Sequence, residues 1–429
     1  MQLYVWVSFL VVVPIWRICL DRQFANLIFM YNFVDVRNRK LNTVESMKQT
    51  ILALFALCAT LCATAQEYQT RYQSSTEPQT LLPVGYMRLS RQEVILPNVN
   101  GYTPYKADLH IHSTHTDGVV NVKGRMEEAW CDGLDVIAMT DHLSIRPVPE
   151  YGQPTPDSAK AKRGSKAAKA MEESLKYADN FGLLVIPAVE LTGDGETQGH
   201  YNALFINDIR SVYDYNPMQT IRNAREQGAL IMHNHPGWRH KSLDMSDFEK
   251  GVYAEKLIDG IELMNGAYFY PRAFNLVEQY GLFVASNTDI HNTTAQTYRE
   301  NGYLRNMTII FANELSLGAM REALEARRTL TYAFGTIAGE ESLLEAFFKA
   351  SVEMKRLPEG KGKEKGRQRV VITNKSSLRY TLRVGKGNPM ILRPLSSIIV
   401  TVKVGNPVSC TILNMWCGEN EHPSVRLKD

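Results

Sequence analysis

Between Tyr105 and Tyr332 the chain alternates short apolar runs with longer stretches in which apolar residues recur every three or four positions. Short runs bounded by turn residues are strand-like, and the longer spacing is that of a helix with one buried face. Strands are predicted near 105–109, 134–139, 183–188, 201–206, 229–232, 260–263, 282–285 and 307–311. Helices are predicted near 122–131, 167–180, 218–227, 272–279 and 317–327. This alternation is the signature of β/α units around a parallel sheet. From about Ser342 the pattern changes. Val370–Asn374, Arg379–Val384, Ser397–Val404 and Ser409–Leu413 alternate apolar with polar residues and are separated by Gly, Pro and Asn turns. They predict a small antiparallel β-sandwich of the immunoglobulin-like type over 336–429.

The 429 residues suffice for a large core and a smaller second domain. The formal charge of +3 comes from the leader, because residues 1–65 hold six Lys/Arg and three Asp/Glu. Without them the chain is neutral, and no basic footprint for nucleic acid remains beyond a linker-like run at Lys355–Arg369. Met47-Lys-Gln-Thr, the apolar Ile51–Leu61 and Ala63-Thr-Ala65 have the form of a signal peptide with its cleavage site. Met47 is then the expected start, residues 1–46 an upstream over-extension of the reading frame, and Gln66 the mature N-terminus. A rival anchor at Leu3–Ile15 is short and is interrupted by Pro14 and Arg17. The expectation is export to a periplasm or the cell exterior, with no membrane span left after cleavage. Residues 66–103 read as an extended polar arm. Three cysteines then remain, Cys131, Cys410 and Cys417, at spacings that fit neither a disulfide scaffold nor a zinc site. Cys131 reads as core; Cys410 and Cys417 are either paired or two buried thiols.

The chemistry begins at Asp108-Leu-His-Ile-His-Ser-Thr-His-Thr-Asp-Gly118. In a strand, residues two apart point to the same side, so His110 and His112 can offer both imidazoles to one point. Asp117 and Gly118 turn the chain back toward it. An H-x-H pair alone is weak evidence, but nine of the ten histidines lie between His110 and His291. Other predicted strands run into Thr140-Asp141-His142, Glu190, His233-Asn-His235-Pro236 and Asn287-Thr-Asp289-Ile-His291, and His200 precedes a strand. Parallel barrel strands open their C-terminal ends on one face, where active sites are built. Imidazole and carboxylate donors there suit zinc, manganese or iron.

The motifs DLHIHSTHTDG (108–118), TDH (140–142), VELT (189–192), GHYNALF (199–205), HNHPGW (233–238) and SNTDIH (286–291) resemble those of the polymerase-and-histidinol-phosphatase (PHP) family of metal-dependent phosphoesterases. The resemblance covers roughly Tyr105 to Phe334 and takes in the closing stretch Arg305–Thr329. It implies a distorted (β/α)7-type barrel over 104–335 with two or three divalent ions. By the same resemblance His110, His112, Glu190 and Asp289 would hold the first ion. Glu190 would bridge to a second, completed by His200 and His235, and Asp117, His142 and His291 would hold a third. Glu190, Asp289 and His291 would be central to catalysis. The implied reaction is in-line attack of a metal-bridging hydroxide on a phosphomonoester or small phosphodiester.

Beyond the ligands, Arg146, Arg239 and Lys241 are candidates to position substrate, and His115 is either a solvent-facing loop residue or a substrate contact. Asp108 and Asp141 either orient imidazoles or are strand-end acceptors, and His233 is expected behind the ligands. Trp238 either walls the pocket or packs in the core; Ser144–Gly182 is a possible lid; Glu262 is expected to be structural. Two other functions fit the same residues: a non-catalytic metal-containing surface protein, and a hydrolase of amides or lactones.

Overall fold

The computed structural model describes residues 90–148, 150–194, 198–238 and 244–427. The leader and most of the N-terminal arm lie outside the described residues, as do Arg239 and Lys241.

Seven staves ring a central axis. They are β1 (Thr103–Ile111), β2 (Val136–Met139) continued by β3 (His142–Ser144), β4 (Leu184–Val185) continued by β5 (Ala188–Thr192), β6 (His200–Leu204), β7 (Leu230–His233), β8 (Gly260–Asn265, with the short partner β9, Tyr268–Phe269) and β10 (Phe283–Asn287). Two staves are broken in the middle, at Thr140-Asp141 and at Ile186-Pro187. Proline has no N–H to give to a ladder, and Asp141 is turned away to other partners described below. With four later strands, β11 (Met307–Ala312), β12 (Thr329–Ala333), β13 (Thr336–Gly339) and β20 (Met415–Trp416), the breaks divide the hydrogen bonding into two sheets, β4-β2-β1-β11-β12-β13-β20 and β3-β5-β6-β7-β8-β10. An Ile111–Ile290 bridge joins them. So do bonds from β10 to the hydroxyls of Thr308 and Thr329. The result is the distorted α/β barrel that the sequence implied.

β6 runs antiparallel to both β5 and β7. That reversal puts the start of β6, rather than its end, on the rim where the neighbouring staves finish. It is the reason His200 opens its strand where the other site residues close theirs. β11 (Met307–Ala312) likewise runs antiparallel to β1, so Arg305 and Asn306 enter on the same rim.

The helices of seven residues or more among the described residues are α1 (Val122–Cys131), α2 (Asp157–Phe181), α3 (Pro217–Glu226), α4 (Asp247–Ala254), α5 (Phe274–Tyr280), α6 (Leu317–Glu325) and α7 (Glu341–Ser351). The segment expected as a lid is mostly α2, a 25-residue crossover helix with Ala167, Ala168, Ala170 and Met171 buried. Its first ten residues, Asp157–Lys166, are Lys-rich and carry almost no apolar face, so periodicity does not reveal them. α4 is short and starts at a capping box in which Ser246 and Glu249 bond reciprocally.

The C-terminal boundary differs from the expectation. β12 (Thr329–Ala333) and β13 (Thr336–Gly339) pair antiparallel and extend the first barrel sheet past residue 335. Helix α7 then precedes the sandwich, where a strand-rich pattern was expected. The sandwich has one sheet of β14 (Val352–Glu359), β15 (Arg367–Asn374) and β18 (Ser397–Lys403), and a second of β17 (Met390–Leu392), β16 (Tyr380–Val384), β19 (Val408–Ile412) and β21 (Ser424–Leu427). β20 (Met415–Trp416) leaves it to pair with β13 of the barrel sheet. One apolar core runs through both parts, from Ile111, Val122 and Phe311 by way of Phe347 and Phe348 to Tyr380 and Ile412. Cys131, Cys410 and Cys417 are free thiols, so the last two do not pair. Among the described residues no helix is long and apolar enough to cross a membrane.

Candidate metal centre

β1 carries His110 and His112 into the barrel, both fully buried, with ring centroids 5.0 Å apart. Beyond them the chain turns so tightly that a Cβ at Gly118 would lie 2.6 Å from the His112 carbonyl oxygen. Only glycine permits this approach, and it sets Asp117 back over the end of β1.

Three adjoining groups of donor atoms result, those in each lying within 4.8 Å of one another. The innermost is His110, Glu190 and His235, and beside it are His110, His112 and Asp289. The third is His112, Asp117, His142 and His291 at the rim. The Asp117 side chain is 55% exposed there, against 1% for Glu190. His200 Nδ1 approaches Glu190 Oε1 to 3.2 Å from the other side. The two oxygens of Glu190 face different groups, since Oε1 is 3.3 Å from His110 Nε2 and Oε2 is 2.5 Å from His142 Nδ1. Asp289 Oδ1 is 3.0 Å from His112 Nε2 and 3.3 Å from His110 Nε2. All nine residues named by the resemblance therefore meet at one end of the barrel. Two of them, His235 and Asp289, have positive φ values of 27° and 52°. Strained backbone of this kind in non-glycine residues clusters at functional sites.

A layer of polar residues behind the cage fixes it, and most of them gave no signal in the sequence. Glu262 accepts from the His235 N–H (2.7 Å), Asn265 and Asn287, and its Oε1 is 3.0 Å from His110 Nδ1. It is thus the carboxylate that holds a cage imidazole, not a merely structural strand residue. Asn234 donates to Glu190 at 3.1 Å and to Asn202 at 2.8 Å. The fully buried Arg125 of α1 donates to the carbonyls of His112, Ile290, His291 and Asn292. One guanidinium thereby ties the end of β1 to the segment after β10.

The other expectations fare differently. Asp108 touches no cage imidazole; it accepts from Thr288 and from Arg305 and is a strand-end acceptor. Asp141 likewise accepts from Ser113 and Thr116 and pins the turn after His112. His233 faces α4, with Nδ1 2.9 Å from the Tyr253 hydroxyl and Nε2 3.4 Å from Glu249, so the role behind the ligands is corrected. His115 pairs with Glu173 of α2 at 3.1 Å rather than with the cage. Arg146 is exposed on the loop after β3. Trp238 does stand at the site: its ring lies 5.3 Å from that of His235 and 5.9 Å from that of His200.

The electrostatics describe a cage whose carboxylates favour positive charge. Burial alone would lower the His110 pKa, but Asp289, Glu262 and Glu190 outweigh it and raise it well above the ordinary value. His142 is raised to about 9, where burial is overcome by Glu190 and then Asp117. At His112 burial wins and the pKa falls. Burial would raise Glu190, yet His110 and His200 hold it well below the carboxylate range. Although carboxylate oxygens approach them, the buried His110 Nε2 and both ring nitrogens of His112 have no well-formed hydrogen bond among the described residues. Buried polar atoms are rarely left so, and nitrogen lone pairs facing carboxylates fit divalent ions of the zinc, manganese or iron type.

No protein-family model and no curated protein matches the sequence. Among solved structures, the chain is similar to a two-domain protein from Bacteroides vulgatus containing a predicted PHP-like metal-dependent phosphoesterase. The two share 27% identity over 79% of this chain and 99% of that one, at a TM-score of 0.69. More distant are a putative metal-dependent phosphoesterase from Bifidobacterium adolescentis and the lesion-specific endonuclease Q from Pyrococcus furiosus. The first has 14% identity over 52% of this chain and 96% of that one, at a TM-score of 0.34. The second has 17% identity over 56% and 59%, at 0.37. The chain has the PHP-like fold followed by a β-domain, and hydrolase chemistry with divalent metals is the coarse activity that goes with it.

Proposed function

We propose that the protein is a hydrolase of phosphomonoesters or small phosphodiesters. The observation that carries the reading is the convergence of eight imidazoles and carboxylates, from segments up to 181 positions apart, into three groups linked through His110 and His112, with His200 beside them at 3.2 Å from Glu190. In this reading His110, His112, Glu190 and Asp289 would hold one ion, Glu190, His200 and His235 a second, and Asp117, His142 and His291 a third. Divalent ions, when bound, supply the charge that offsets a phosphate anion and lower the pKa of water toward neutrality. The chain's own residues do the rest. Glu190, with an oxygen toward each of two groups, fixes their spacing, and Glu262 and Asn234 keep His110 and Glu190 in place. The rim group faces solvent, so a substrate would enter past Asp117 and His291.

The charge balance favours a small ester over a nucleic acid, because the chain without its leader is neutral. The leader supports an exported enzyme. Turnover of 4-nitrophenyl phosphate and of its bis-ester, with manganese or zinc and with metal analysis of protein purified without chelator, tests the reading. Hydrolysis lost on Glu190→Gln is expected; inactivity of metal-loaded protein on both esters counts against it. N-terminal sequencing of the exported protein tests the start at Gln66.

A further inference from the structure

The rim is chemically lopsided. On the side of β1, β3 and β10 it presents the open group Asp117, His142 and His291. On the side of β7 and β8, which are neighbouring parallel strands, it presents aromatic rings. Trp238 follows β7 in a turn closed by its N–H to the His235 carbonyl at 3.0 Å, and although its ring leans on two cage imidazoles it stays 47% exposed. Tyr268 and Tyr270 follow β8. Their rings stack at 6.5 Å with 21° between planes, and Tyr268 is 63% exposed.

Anchoring the loop does not require these two tyrosines. Phe269 packs on Trp416 of β20 at 5.3 Å, and Arg272 pairs with Glu419 at 3.4 Å, so the C-terminal domain holds the loop by other residues. Tyr270 is tied back by its N–H to the Leu263 carbonyl at 2.8 Å, next to Glu262. Its hydroxyl is buried and has no hydrogen-bond partner among the described residues. Burial first, and then the Glu262 and Asp289 carboxylates, push that hydroxyl's pKa up, so it stays a donor. Single exposed apolar residues are ordinary on a protein surface. Three aromatic rings at adjoining strand ends, beside a polar cage and with an unused donor among them, are not scattered singly.

We infer that Trp238, Tyr268 and Tyr270 form a shelf for a planar ring carried by the substrate, so that the ester cleaved is an aryl or heteroaryl phosphate rather than an aliphatic one. The inference rests on the phosphoesterase reading above and adds the substrate class. A ring face against indole or phenol gains both burial and quadrupole attraction, whereas an alkyl group gains burial alone. The Tyr270 hydroxyl supplies the hydrogen bond that orients the ring or its first substituent.

The test uses phosphonates, which the enzyme does not cleave, so that equilibrium binding is read in place of turnover. Calorimetry on the metal-loaded protein compares phenylphosphonate with methylphosphonate. The wild type is expected to prefer the phenyl compound by about tenfold, and Trp238→Ala to abolish that preference, losing affinity for phenylphosphonate more steeply than for methylphosphonate. Tyr268→Ala, which touches no cage residue, is expected to narrow the preference without moving the melting temperature. Equal binding of the two phosphonates by the wild type, or parallel loss of both in Trp238→Ala with its metals retained, overturns the shelf and leaves the phosphoesterase reading standing. Binding of neither by the wild type overturns both.

Discussion

Glu262 Oε1 lies 3.0 Å from His110 Nδ1, and both side chains are fully buried. The carboxylate fixes which imidazole nitrogen is left to face Glu190 and Asp289. Residues that orient a metal-binding histidine typically contribute ten- to a hundredfold to affinity or activity. Glu262→Gln keeps the shape and removes the charge. It is expected to lower metal affinity or activity by about ten- to a hundredfold, read by competition with a chromogenic chelator. Unchanged affinity would make Glu262 a packing residue after all.

Glu190 faces both inner and rim groups, so its loss reaches further. Glu190→Ala is expected to release more than one ion per chain, measured by elemental analysis, and to reduce ester hydrolysis by about three orders of magnitude or more. Loss of a single ion with most activity retained would contradict a shared role.

Arg125 is expected to act on structure and site together. Arg125→Met leaves the carbonyls of His112, Ile290, His291 and Asn292 without their donor and Glu128 without its cation. Removing one partner from a buried charged network costs about 3–5 kcal/mol, visible in urea unfolding. The rim ion should also be bound more weakly than the inner ones.

The buried pair Asp108–Arg305, at 2.7 Å with neither side chain exposed, makes a contrasting case. Asp108→Asn leaves the guanidinium with only its longer contact to Asp132 at 3.4 Å and is expected to destabilise by up to about 3–5 kcal/mol. Because Asp108 touches no cage imidazole, metal stoichiometry of the folded fraction should be unchanged. A variant that folds normally but lacks metal would place Asp108 in the site.

Protons and metal ions compete for the same nitrogens, which gives opposite pH trends. In chelator, His142 binds a proton more tightly folded than unfolded, with its pKa raised from 6.5 to about 9. A raised pKa stabilises fully below the unfolded value and loses its effect as pH climbs through the folded one. The chelated protein should therefore melt progressively lower between pH 6.5 and 9. Metal binding needs deprotonated imidazoles, so the stabilisation gained on adding manganese or zinc should grow over that same range. Parallel melting curves with and without metal would refute the cage.

The sequence by itself determined the alternating strands and helices of the barrel and the β-rich C-terminal part, and its motifs, through their resemblance to a known family, singled out the nine imidazoles and carboxylates that the fold brings to one rim. Strand and helix periodicities are local, and an H-x-H pair on a strand fixes its own geometry through the alternation of side chains. What it did not reveal lacks local periodicity or depends on distant partners. The exposed start of α2 has no apolar face, and α7 lies within the stretch assigned to the sandwich, ahead of its first expected strand. Asp141 sits next to a ligand in the chain and His233 two residues from one, yet each is claimed by another partner, Ser113 with Thr116 in the first case and Tyr253 in the second. Glu262 and Arg125 looked like ordinary strand and helix residues until folding set them against His110 and against four carbonyls of the rim. A side chain's neighbours along the chain are covalent facts, but its hydrogen-bond partners are chosen by the packing of the whole barrel, and only the tertiary structure decided those.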